Sequence, residues 1–74
     1  MTLTQANLDK IHQDMTSQEV KAILGEPNES QTVPIPIVGG NKTTYIYENK
    51  DSRVVIVLKN DTVQTTEGHF GTGN

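Results

Sequence analysis

A helix with both of its ends specified constrains this chain most strongly. Thr16 and Glu19 have the spacing of a capping box, in which each side chain accepts a hydrogen bond from the backbone N–H of the other residue. The residues that follow form an apolar stripe at helical spacing: Val20, Ile23 and Leu24. Gly25 suits the left-handed conformation that ends helices, and Pro27 prevents continuation. The sequence therefore predicts a helix over Ser17–Leu24.

Size and composition favour one small domain. The chain has 74 residues, of which 32% are hydrophobic, with no Trp and one Phe, so its core must be thin and mostly aliphatic. We expect a single domain over residues 1–74, with an ordered core over 4–66 and a flexible tail over 67–74. The net charge of −3 and the scattered Lys and Arg residues argue against nucleic-acid binding and against a polybasic membrane-binding patch. Because Cys is absent, disulfides, thiolate metal sites and a cysteine nucleophile are excluded.

The first half of the chain predicts a helical hairpin followed by an extended segment. Thr4 is suited to cap a first helix over Gln5–Gln13, and its short connection to the second helix is typical of two antiparallel helices. Residues 29–41 contain Pro34 and Pro36, which remove backbone donors. This segment is consequently predicted as irregular, or as an edge strand at most.

Three strands are predicted in the last third: Thr43–Glu48, Arg53–Lys59 and Thr62–Thr66. If the first turn is centred between Lys50 and Asp51, Tyr47 faces Val54. If Asn60 and Asp61 form a two-residue loop, Leu58 faces Val63 and Ile56 faces Thr65. The predicted fold class is α+β, a two-layer α-α-β-β-β arrangement with the helical hairpin packed on one face of a three-stranded antiparallel meander. One face of this meander would then form the core under the helices: Tyr45, Tyr47, Val54, Ile56, Leu58 and Val63.

The opposite face contains one apolar spot among polar residues. Ile46, Val55 and Val57 fall on it by alternation, and we predict them as a protein-interaction patch, with ordinary surface as the alternative. The continuous apolar run Val54–Leu58 is typical of a strand that is covered on both sides. If the patch is ordinary surface, the Val33–Gly40 segment or the helices remain as the binding surface.

No residue pattern predicts reaction chemistry. His12 and His69 are isolated from each other and from other ligand residues in the sequence, so we expect neither a metal site nor a catalytic role for them. Tyr45 and Tyr47 could form a ligand platform, but residues two apart on a covered strand face are more often core. We therefore predict no catalytic residues, no cofactor and no metal, and we expect that the protein is not an enzyme.

Several of these residues also form a family signature: Met15, Thr16, Glu19, Val20, Leu24, Gly25, Pro27, Tyr45 and Tyr47. The pattern resembles the SmpA/OmlA-type small outer-membrane lipoprotein family, which includes the E subunit of the bacterial β-barrel assembly machinery, and domains of the β-lactamase-inhibitor-protein-like fold. The resemblance covers about residues 8–63. The chain departs from the family pattern at Asp14, where Gly is usual, and in having no lipid-accepting Cys.

The resemblance implies a non-catalytic protein-binding or assembly module of the bacterial cell envelope. Its partner would be an envelope protein or a second copy, with no nucleic acid and no direct membrane insertion. The location would be periplasmic or outer-membrane-associated if a signal segment was removed. The alternative is a homodimerising structural domain, or an enzyme-inhibitor domain of the β-lactamase-inhibitor-protein-like fold.

Overall fold

The computed structural model describes residues 3–71, which form two short helices and one four-stranded sheet. The helices are α1 (Gln5–Leu8) and α2 (Ser17–Leu24). The strands are β1 (Glu29–Pro34), β2 (Asn41–Glu48), β3 (Ser52–Lys59) and β4 (Thr62–Phe70). All neighbouring strands are antiparallel, and their order across the sheet is the order of the sequence.

The predicted three-stranded meander is wrong, because Glu29–Pro34 forms a fourth strand beside β2. Pro34 is tolerated there because β1 is an edge strand, and Pro34 is its last residue. The chain then reverses through a turn in which Ile37, Gly39 and Gly40 all have positive φ angles. The sequence could not distinguish this hairpin from an irregular loop by proline content alone.

The predicted helical hairpin also needs correction, since α1 is a single turn and not a helix over Gln5–Gln13. Thr4 caps it by accepting from the N–H of Asn7 at 3.1 Å. After Leu8 the backbone hydrogen bonds join residues three apart, as in a 3₁₀-helix, and no longer four apart. Lys10 donates to the carbonyl of Asn7, and Ile11 donates to the carbonyl of Leu8. Helices this short receive little stability from their own backbone, so tertiary contacts decide where they end.

The second helix has the predicted boundaries and caps. Thr16 and Glu19 form both bonds of the capping box, and Gly25 follows the helix with φ 82°. The start of α2 is tied to the turn between β3 and β4, because the N–H of Ser17 donates to the carbonyl of Asp61 at 3.1 Å.

The core lies between the two helices and one face of the sheet, which we call the inner face. It contains Leu3, Leu8, Ile11, Met15, Val20, Leu24, Tyr45, Tyr47, Val54, Ile56, Leu58 and Val63. This confirms the predicted inner-face alternation in β2 and β3. Phe70 is half-buried against the same cluster.

A bulge changes the register along β4. The predicted pairs Leu58–Val63 and Tyr47–Val54 are confirmed. The predicted Ile56–Thr65 pair is wrong, because the irregularity at Val57/Leu58 places Ile56 opposite Thr66. Thr65 therefore faces away from the helices and Thr66 toward them.

Strand β4 continues to Phe70, past the predicted end at Thr66. The predicted flexible tail over 67–74 falls partly on residues 72–74, which lie outside the described residues. That the whole chain is one domain stays a prediction.

Candidate protein-interaction face

The sheet face opposite the helices, which we call the outer face, brings the three predicted patch residues together. Ile46 on β2 lies directly opposite Val55 on β3, and Val57 follows two residues later on the same face. All three side chains are half-buried, whereas their neighbours Tyr45, Tyr47, Val54, Ile56 and Leu58 are buried on the inner face. We call Ile46, Val55 and Val57 the outer patch.

Carboxylates border the outer patch at both edges of the sheet. Glu29 on β1 pairs with Ile46, and Glu67 on β4 pairs with Val55, so these four residues form one row across the sheet. Both glutamates are exposed. In the next row Val57 lies between Thr44 and Thr65, and Gln31 follows Thr44 on β1, so Val57 has polar neighbours on both sides. The patch is therefore an apolar centre with a polar rim.

The two ends of the outer face carry charges in different arrangements. At one end Glu48 lies opposite Arg53, and its carboxylate forms an ion pair with the Arg53 guanidinium at 2.7 Å. At the other end Lys42 and Lys59 lie directly opposite each other, and within residues 3–71 neither forms an ion pair. Like charges in this position repel, which leaves this end attractive for carboxylates of a partner.

The aromatic residues predicted as core are on the inner face. Tyr45 and Tyr47 pack edge to face, with ring centroids 6.4 Å apart, and are 6% and 3% exposed. The hydroxyl of Tyr47 donates to the Gly25 carbonyl at 2.8 Å. Burial, with smaller contributions from Tyr45 and Glu26, raises the pKa of the Tyr47 phenol well above its usual range. These rings support the core and are not available as a ligand platform.

The two histidines are both exposed. His12 follows α1, and its Nδ1 lies 3.1 Å from the Gln13 carbonyl. His69 is on β4 opposite Arg53. Across residues 3–71, no group of three or more His, Asp or Glu side chains could hold a metal ion.

Sequence reasoning missed the contribution of β1 to the outer face. Because β1 was not predicted as a strand, the positions of Glu29, Gln31 and Val33 beside the patch could not be predicted. The most exposed large apolar side chains also belong to this hairpin: Val33 at 51%, Ile37 at 105% and Val38 at 74%. The two consecutive β-branched residues Thr32 and Val33, which favour strands, were the available signal.

None of the helices in the described part of the chain is long and apolar enough to span a bilayer. No curated protein and no solved structure matches the chain. A family model does match, over residues 1–68: the domain of the outer membrane protein assembly factor BamE. This match confirms the resemblance to the SmpA/OmlA-type family, and it confirms the prediction of a non-enzymatic protein, since the family consists of non-enzymatic assembly factors. The chain thus belongs to the BamE domain family of outer membrane protein assembly factors.

Proposed function

We propose that this domain is a binding module at the periplasmic side of the outer membrane and that it holds a protein partner on its outer patch. Ile46, Val55 and Val57 carry this proposal, because they are adjacent apolar side chains that the helices do not cover. Family membership supports an assembly role.

The shape of the face favours a partner with an apolar segment. A central apolar region surrounded by polar residues has the layout of a small interface core and rim. The aromatic side chains of the described region lie on or against the inner face, in the core cluster. An aromatic grip on a target enzyme, as in inhibitor domains of the related fold, therefore has no support from this face.

Photocrosslinking from the outer patch tests the proposal. A benzoylphenylalanine placed at position 55 should crosslink to a protein of the outer-membrane assembly machinery in cells that express the domain in the periplasm. The matched control is the same group at Gln18, an exposed residue of α2 on the other side of the molecule. Crosslinks of the same protein from both positions, or from neither, would contradict binding through this face.

A double substitution measures the same contact in purified components. Val55→Lys with Val57→Lys should weaken binding to the crosslinked protein by at least about 2 kcal/mol, because two charges would be placed in an apolar interface. The far-UV circular dichroism spectrum and unfolding midpoint report whether the monomer remains folded. Binding as strong as that of the unchanged protein would refute the proposal, and so would unfolding of the domain, since both valines would then belong to its core.

A further inference from the structure

The two edges of the sheet differ in how their backbone groups are satisfied. On the β4 side, Val63 donates to the Met15 carbonyl at 2.8 Å and accepts from the N–H of Asp14 at 2.9 Å, so the segment before α2 covers the start of this edge. On the β1 side, the sheet of the described residues ends, and all six residues of Glu29–Pro34 are exposed. An edge strand that is exposed on both faces and at its side is a template for another strand.

The hydrogen-bond pattern shows which groups of β1 point outward. Ile35 donates to the Gly40 carbonyl at 3.0 Å. Backbone groups alternate in direction along an antiparallel pair, so Val33 and Gln31 also bond toward β2, while Ser30 and Thr32 direct their N–H and C=O groups away from the sheet. Pro34 occupies the next outward position, where its missing N–H removes no bond to β2.

We propose that a second copy of this chain pairs with β1 through these groups, antiparallel and centred on Gln31. In this register Ser30 of each copy lies opposite Thr32 of the other, and each pair exchanges both of its backbone hydrogen bonds. The outward pattern of β1 is thus self-complementary, as a two-fold interface requires. The two sheets join into one continuous sheet through the edge, which leaves both outer patches free.

Charge complementarity supports a second copy as the occupant. The register places Glu29 opposite Val33 of the second copy, and Lys42 of that copy is the β2 neighbour of Val33 on the same face. Two strand spacings separate the backbones of Glu29 and Lys42 by roughly 10 Å, which two long side chains can bridge. Both side chains are exposed, and neither forms an ion pair within residues 3–71.

The same pair does not form within one copy. Glu29 and Val33 are four residues apart on β1, so Glu29 and Lys42 of one chain are separated by about 13 Å along the strands. The opposite charges come together only when a second copy is added.

The exposed apolar tip of the hairpin also gains a neighbour in this arrangement. Ile37 and Val38 extend beyond β1, and Ile37 holds φ 72°, an uncommon conformation for a β-branched residue. Antiparallel pairing about Gln31 brings this tip alongside the segment of the second copy that leads from α2 into β1. Pro27, which is half-buried, lies in that segment and offers apolar surface.

Sedimentation equilibrium of the purified chain, from about 10 μM to about 1 mM, tests for a concentration-dependent dimer. Thr32→Pro removes one outward backbone donor from each copy and no backbone bond to β2, so it should raise the dimer dissociation constant at least about tenfold. Thr32→Val is the matched control, because it keeps the N–H and loses only the hydroxyl contact with Thr43. Circular dichroism of each variant reports whether the monomer stays folded.

A charge exchange separates a second copy from any other extended strand. Glu29→Lys and Lys42→Glu should each weaken the dimer by about three- to tenfold, and the double variant should regain the original affinity. A chain that stays monomeric at all concentrations overturns the proposal. A dimer that ignores Thr32→Pro, or whose charge variants do not compensate, also overturns it, because pairing would then use another surface or register.

Discussion

Tyr47 connects the end of α2 to the sheet, and its hydroxyl is a sharp test of the packing. The side chain is 3% exposed and donates to the carbonyl of Gly25 at 2.8 Å. Gly25 is the residue that ends α2, so its carbonyl has no partner further along the helix. The bond therefore fixes the helix end over β2.

Replacement of Tyr47 by Phe should lower the free energy of unfolding by about 1 kcal/mol at pH 7. The ring and its packing remain, and the loss is that of one partly buried hydrogen bond to a backbone carbonyl. For a domain of this size, whose total stability is expected to be only about 5 kcal/mol, that is a large fraction. Tyr45→Phe is the matched control, since within residues 3–71 the Tyr45 hydroxyl makes no hydrogen bond, and it should change stability by less than about 0.5 kcal/mol.

The same substitution should change how stability depends on alkaline pH. Burial raises the pKa of Tyr47 in the folded state, so above about pH 10 the unfolded chain loses this proton while the folded chain keeps it. Stability then falls as pH rises, by up to about 1.4 kcal/mol per pH unit for one proton, and the contribution is fully present only below the unfolded pKa. Tyr47→Phe removes this part of the slope.

Urea unfolding of the unchanged protein and of both variants between pH 7 and pH 11 measures these effects. The stability advantage over Tyr47→Phe should be constant up to about pH 9.5 and then shrink. Parallel pH curves for the unchanged protein and Tyr47→Phe would refute the reasoning, because the phenol would then titrate alike in the folded and unfolded states.

Two further substitutions test the packing of the helices. Thr16→Ala should cost about 1 kcal/mol in urea unfolding, because it removes the hydroxyl that accepts from the Glu19 N–H, and an unmoved midpoint would mean that α2 does not depend on this cap. Gly68→Ala should cost about 1–3 kcal/mol, because a Cβ at this position would overlap the Leu8 side chain; if the substitution is neutral, α1 does not pack on β4 as described.

The parts of the fold that depend on local chemistry could be predicted from the sequence. The capping box and Gly25 determine both ends of α2 through bonds between residues close in the chain. Asn60 and Asp61 have φ angles of 50° and 71°, which is the conformation of a two-residue hairpin turn that Asn and Asp tolerate. That turn fixes the Lys59–Thr62 pair, and the alternation of β3 follows from it.

The parts that depend on tertiary contacts could not. The bulge beside Leu58 has no residue signature of its own, yet it exchanges the faces of Thr65 and Thr66. Helix α1 ends after a single turn, and Ile11 beyond it is buried in the core. The spacing of the apolar residues alone had predicted a helix that continues to Gln13. Strand β1 was obscured because it ends in Pro34 and Pro36 follows closely, and proline is tolerated only at the edge of a sheet.

The candidate face could be predicted as far as the alternation of side chains along β2 and β3 could be predicted. Ile46, Val55 and Val57 lie together because β2 and β3 pair as the turn between them implies. The carboxylate beside Ile46 was not predictable, since Glu29 reaches the face only through β1. The apolar centre of the face could thus be predicted from local periodicity. Part of its charged border depends on the long-range pairing of β1 with β2 and could not be predicted.

The exposure of β1 follows from the small number of helical residues. Two helices of 4 and 8 residues cover the inner face beneath β2, β3 and β4, and no residue of β1 is buried. Backbone bonds to β2 and the hydroxyl contact between Thr32 and Thr43 at 2.9 Å therefore hold β1, with no contribution from the core. Segments of this kind open at lower free-energy cost than core strands. Because substitutions in β1 leave the core unchanged, its sequence is free to meet the demands of a partner, and the partner in turn would order the least stable strand of the sheet.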